Sequence, residues 1–179
     1  MAGRIAVVDA RDRFVAWEDR HTVHERRLPH RSVHVLLVDS RGRLLLQRRH
    51  RAKQTHPSHW DLSCSGHVEE SDYGPAGPDA DLDRVYAEVA RREVEEELGV
   101  RALLTQVGHF GPADGVHYEQ LRLFVGTSDG PFTAQADEVE DLRHVTRAEL
   151  AALRAAGAEP LTPTLLWFTD LLTDLTAWR

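Results

Sequence analysis

The ten residues RREVEEELGV, Arg91 to Val100, place four glutamates within five positions and end beside a glycine. On a helix, at about 100° per residue, Glu93, Glu96 and Glu97 share roughly a third of the circumference, and Glu95 points the other way. Tyr86, Ala90, Val94 and Leu98 recur every fourth residue beside those three, so the carboxylates are expected at the edge of a buried face. Like charges so placed repel by a few tenths of a kcal/mol per pair, and near a helix C-terminus they also oppose the dipole. A hard divalent cation answers both problems. Mg²⁺ or Mn²⁺ accepts carboxylate oxygens and keeps positions open for water or phosphate. A solvated acidic face has the same composition, with Arg92 as a plain surface charge. Alternatively Arg92, four residues before Glu96, locks the carboxylate array in place.

The helix that carries them starts near Asp79 or Asp81 as N-cap and stops at Gly99. Before it, RIAVVDARDRFVAWEDR reads as a hairpin turning at Asp9 to Arg13, and SVHVLLVDSRGRLLLQRR as a second, turning at Ser40 to Gly42. HWDLSCSGHV is a further extended segment, and SDYGPAGPDAD, rich in glycine and proline, reads as a loop. ALLTQVGHF, HYEQLRLFVGT and EVEDLRHV form three more strands. TRAELAALRAAG is a short helix between Thr146 and Gly157, and TPTLLWFTDLLTDLTAW a closing one with Leu165, Phe168, Leu172 and Leu175 on one stripe. Strands flanking a central helix, with a helical C-terminus, give a single mixed α/β domain over residues 1–179.

Composition narrows the function. The 179 residues carry a formal net charge of −7, which argues against a dedicated nucleic-acid or membrane-surface binder. Acidic residues gather between Glu69 and Glu97 and around Asp137 to Asp141, basic ones between Arg41 and Lys53. That polarity suits a phosphate-bearing ligand held partly by cations and partly through a metal. The lone cysteine, Cys64, excludes an internal disulfide and a four-thiolate zinc site. No signal peptide or membrane span is visible, and a reducing cytoplasm is the expected compartment. Most of the eleven histidines are expected at the surface or hydrogen-bonded in the core.

REVEEELGV, Arg92 to Val100, resembles the second half of the Nudix box, R-E-U-x-E-E-x-G-U with U apolar, and agrees with it at every specified position. The first half departs. Gly66 stands 26 positions ahead of Arg92, where the family pattern has its glycine fourteen ahead. The resulting 12-residue excess coincides with the loop at 71–82. The box's first glutamate has no clean counterpart: Glu69 or Glu70 stands nearby, and counting back from Arg92 lands on Arg84. The resemblance implies an α/β/α Nudix sandwich and Mg²⁺- or Mn²⁺-dependent attack by water on a diphosphate linkage. It gives Glu93, Glu96 and Glu97 the metal, with one of them or a glutamate from elsewhere orienting the water.

A resemblance over most of the chain is to the branch containing type I isopentenyl-diphosphate isomerase. VVDARDRFVAWEDRHTVH, residues 7–24, resembles its leading segment, which is taken here as 1–29, and RGRLLLQRRHRAKQTHPSHWDLSCSGHV its core strands and basic loop. It implies a metal site of His24, His30, His67 and Glu119, with His117 where a second strand glutamate would be. Glu119 thereby joins the candidate catalytic carboxylates. Arg20, Arg49 and Lys53 match cations that bind the diphosphate. Two departures strike the isomerase chemistry. Ser65 stands where the isomerases have a catalytic cysteine, Cys64 lies one place earlier, and alternation along a strand turns the two apart. Thr164 replaces a tryptophan, and Trp167 lies a helical turn away. The first expectation is therefore a hydrolase of a nucleoside diphosphate derivative or other organic diphosphate. An isomerase, or a relative using Ser65, is the second, and a non-catalytic diphosphate-binding domain the third.

Overall fold

The computed structural model describes residues 3–171 and 178. The first hairpin pairs β1 (Arg4–Val8) with β2 (Phe14–Asp19), and Asp19 caps the short α1 (Arg20–Glu25). The central strand, β3 (His30–Val38), is buried along its whole length, as expected of a strand covered on both faces. It turns into β4 (Leu44–Arg49). The extended segment around Trp60 proves to be two strands with different partners. β5 (Trp60–Asp61) pairs with β4, whereas β6 (Cys64–His67) pairs antiparallel with β3.

The segment expected to be an irregular loop over 71–82 is folded. Residues Glu70–Asp79 form 3₁₀ turns broken at Gly74 and Gly77, both at positive φ, and Leu82 already belongs to the next helix. Buried Tyr73 is its anchor: its hydroxyl accepts a 2.8 Å hydrogen bond from Arg31. Helix α2 (Leu82–Leu98) follows, with Asp81 as the cap, accepting from the Asp83 amide, and Gly99 left-handed at its end. Then come β7 (Leu104–Phe110), β8 (Glu119–Thr127), β9 (Val139–Val145), α3 (Arg147–Ala156) and α4 (Pro163–Leu171). Leu172 and Leu175 of the expected closing stripe lie outside the described residues.

The sheet is mixed. β8 runs parallel to β3 for nine residues, from His30 opposite Glu119 to Val38 opposite Thr127. β7 borders β8, and β9 borders β4. Val33, Val35 and Leu37 pack beneath α2 with Tyr86, Ala90, Val94 and Leu98. Leu36, Val38, Leu121 and Leu123 face the other way, into a second core with Leu150 of α3 and Leu165 and Phe168 of α4. This is the expected α/β/α sandwich. The second face of the sheet changes character along β3: Leu36 and Val38 are core, but His30, Ser32 and His34, at the same alternation, open on the site.

Candidate functional site

Position 66 decides how α2 meets the sheet. Cys64 and Gly66 of β6 face α2, and a Cβ on Gly66 would overlap the Glu93 carboxyl group, so the absent side chain is what lets that carboxylate reach the strand. Of the three glutamates, Glu93 and Glu97 turn inward, with 14% of the Glu93 side chain and 6% of the Glu97 residue exposed. Glu96 keeps 57% of its side chain in solvent. Burial pushes the Glu93 carboxyl up to about 7, with Glu97 and Glu96 adding to the effect and the Arg92 hydrogen bond opposing it. Burial raises Glu97 too, against a 3.0 Å bond from Gln47 and the charge of Lys53.

Arg92 is not a free surface charge. It binds Glu93 at 2.7 Å, approaches Glu96 at 3.8 Å, and pairs with Asp72 of the 3₁₀ segment. Of the two candidate stand-ins for the missing glutamate, Glu69 borders the cleft, whereas Glu70 forms a bidentate pair with Arg4. Arg84 pairs with Glu88 on α2 itself.

On the other side of β6, Ser65 and His67 meet the polar end of β3. His24, His30 and His67 bring one ligand atom each within 4.8 Å of one another. The Glu119 carboxylate lies 3.6 Å from His30 Nε2 and 4.0 Å from His67 Nε2. His30 Nδ1 donates to the Leu28 carbonyl at 2.9 Å, which leaves Nε2 as the lone-pair nitrogen; it is buried with no partner among the described residues. Burial lowers the His67 imidazole and takes His24 down to about 4, with His30 adding to it. Burial alone would raise Glu119, but the His34 hydrogen bond and the neighbouring imidazoles hold it well below its usual range. Imidazole nitrogens beside a carboxylate are a donor set for a borderline divalent cation, and the paired glutamates of α2 suit a harder one. When bound, such an ion polarises a phosphoryl oxygen.

His117 stands apart from the three histidines. Its Nδ1 accepts the Glu119 amide at 3.3 Å and its ring packs on Trp167 at 5.2 Å. His34, not anticipated from the sequence, takes a place near Glu119, with Nε2 3.6 Å from the carboxylate. Only the parallel register of β3 with β8 makes that neighbourhood visible.

The two groups of carboxylates border one cleft of about 350 Å³, which also takes in Arg20, Arg49, Lys53 and Ser65. Arg49 is braced by Asp61 at 3.2 Å and by Thr55, and Lys53 pairs with Glu138. Cys64 is wholly buried in the core under α2, where burial raises its thiol, and so does not border the cleft.

The family model of the NUDIX domain matches residues 28–168. The chain belongs to the Nudix family. An uncharacterized Nudix hydrolase of Pseudomonas aeruginosa, PA4841, is 35% identical over 171 residues, covering 95% of this chain and 93% of its own. An isopentenyl-diphosphate Delta-isomerase of Nocardia farcinica is 38% identical over 149 residues, covering 80% and 77%. The crystal structure of DR0079 from Deinococcus radiodurans superposes with a TM-score of 0.76 at 22% identity, over 95% of this chain and 99% of that one. At that identity the likeness speaks for the Nudix fold alone. Both a hydrolase and an isomerase are thus near relatives, and the site has to separate them.

Proposed function

We propose that this Nudix protein is a hydrolase, dependent on Mg²⁺ or Mn²⁺, that cleaves a diphosphate linkage in a nucleoside diphosphate derivative or other organic diphosphate. The observation that carries the reading is the position of Ser65 and Cys64: a hydroxyl borders the cleft and the one thiol is sealed in the core. Arg49, Lys53 and Arg20 hold the diphosphate, and Asp61 keeps the Arg49 guanidinium oriented. Glu93, Glu96 and Glu97 would hold metal, as would His24, His30, His67 and Glu119. A carboxylate with its proton affinity raised toward neutrality, as burial does for Glu93 and Glu97, is suited to taking a proton from the attacking water.

The histidine cluster around Glu119 and the isomerase relatives favour a second reading, an isopentenyl-diphosphate isomerase. Against it, a serine hydroxyl is a poor substitute for a thiol in proton transfer near neutral pH. Trp167 packs on Phe110, Phe168 and His117 and is absent from the lining of the cleft.

A ³¹P and ¹H NMR time course with Mg²⁺ or Mn²⁺ tests both, using nucleoside diphosphate derivatives and isopentenyl diphosphate in parallel. Release of monophosphate that survives Cys64→Ala and falls by a factor of ~10² or more in Glu97→Gln is the expected result. Double-bond migration with phosphorus signals intact would replace the hydrolase by the isomerase. Tight binding without turnover under either metal would leave a binding domain.

A further inference from the structure

Arg49 and Lys53 both border the cleft and both meet a carboxylate, but the two carboxylates are held differently. Asp61, the partner of Arg49, keeps only 8% of its side chain in solvent. It also accepts the Thr162 hydroxyl at 2.7 Å and the Leu62 amide at 2.9 Å. Leaving Arg49 would strand those donors and unpair a buried charge, so Asp61 stays. Glu138, the partner of Lys53, has 32% of its side chain exposed, and its carboxylate accepts no other hydrogen bond among the described residues. A carboxylate so placed turns into water at little cost.

The backbone around Glu138 is fixed. Its carbonyl accepts the His50 amide at 2.9 Å, and its amide donates to the Gln135 carbonyl at 3.0 Å. The Gln135 and Thr133 amides in turn donate to the Glu97 and Leu98 carbonyls, at 3.0 and 2.9 Å, and so satisfy the end of α2. The Lys53 amide donates to the His50 carbonyl at 3.0 Å. Residue 138 is thereby pinned between the helix that carries the acids and the loop that carries the cation. Only the two side chains are left to exchange partners.

Charge gives that exchange a direction. Lys53 lies in the fields of Arg49 and Arg20 as well as those of Glu97 and Glu93, and burial disfavours its ammonium. Before a ligand arrives, such a cation needs a counter-charge. Glu138 is its one ion-pair partner among the described residues. A diphosphate carries more charge than one carboxylate and can engage Arg49 and Lys53 together. Once it holds the ammonium, the like charge of Glu138 opposes it.

We propose that Glu138 is an internal competitor of the substrate: it holds Lys53 until the diphosphate displaces it, and so keeps the affinity of the cleft below what its cations alone would give. This rests on the reading of the cleft as a diphosphate site. A brace for Lys53 or a ligand to the metal would have the opposite effect on binding, and the sign of the change separates them.

Calorimetric titration with methylenediphosphonate, which is not hydrolysed, in the presence of Mg²⁺ tests the proposal. Glu138→Gln is expected to bind it ~5-fold more tightly than wild type, the upper end for a partly exposed ion pair. In a Lys53→Met background the same substitution should give a gain below about twofold, because the contested cation is gone. Glu138→Ala replaces the glutamine variant should that one not fold. Unchanged or weaker binding by the Glu138 variants overturns the proposal, and so does a gain of equal size in the Lys53→Met background. Wild type that binds no diphosphonate rejects the diphosphate reading of the cleft, and the proposal with it. The expected order of affinities without turnover of any diphosphate ester, followed by ³¹P NMR, keeps the proposal and rejects hydrolysis.

Discussion

Glu93 occupies the space that a side chain at position 66 would fill. The glycine and the carboxylate sit 27 positions apart in the chain and act as one feature: a strand thinned so that a helix can press an acid against it.

Gly66→Ala should therefore displace Glu93 and spare most of the fold. A misplacement of about 1 Å near reacting groups costs on the order of 10² in rate, so kcat should fall 10- to 100-fold and the Mg²⁺ concentration for half-maximal rate should rise. Rates at saturating substrate and a metal titration check this. An alanine variant with wild-type metal dependence would show that the contact has no bearing on the chemistry.

The buried acid also sets a pH dependence. Glu93 is raised from 4.5 to about 7, so the stability it contributes is present below pH 4.5 and is lost as pH rises through 7, by an amount on the order of 3 kcal/mol. His24, lowered from 6.5 to about 4, acts in the opposite sense, with its contribution present above pH 6.5 and lost toward 4. The two partly cancel in the wild type. In chelator, Glu93→Gln should remove the first alone, so its advantage in urea denaturation should grow from pH 4.5 to pH 7.5. An advantage equal at both ends would mean that the site does not strain this carboxylate.

Arg92 is gripped between Asp72 and Glu93. Asp72→Asn should loosen the guanidinium and, through it, the carboxylate, lowering kcat about tenfold with little change in KM. Steady-state kinetics decide. An unchanged kcat would reduce the 3₁₀ segment to packing around Tyr73.

Arg49→Ala should raise KM about tenfold and leave kcat within about threefold, the pattern of a group that binds substrate and transition state alike. Equal losses in kcat and kcat/KM would place Arg49 at the transition state instead.

Much of this was legible locally. Asp81 and Gly99 delimit α2 by capping chemistry alone, and the i+4 stripe from Tyr86 to Leu98 correctly faced the core. What local patterns do not carry is pairing at a distance. Nothing in WDLSCSGH says that its first two residues join β4 and its last four join β3. Glycine and proline marked residues 71–82 as broken backbone, yet the bond from Arg31 to Tyr73 gathers that stretch into helical turns. The angular position of Glu93, Glu96 and Glu97 put all three at a buried edge, but not that β6 would cover two and leave Glu96 in solvent. His34 stands in SVHVLLV as one more position of a mostly apolar strand, and its neighbour Glu119 is 85 positions away.

The parallel register of β3 and β8 limits where the chain tolerates gain or loss of residues. Glu119 shares its alternation with Leu121 and Leu123, which fill the second core. A one-residue slip of β8 against β3 would expel those leucines and swing the carboxylate to the opposite face in the same step. Length variation between related chains should collect in the turn before Glu119 and in the stretch preceding α2, where neither register is disturbed. Such indels would alter the rim of the site and leave its acids in place.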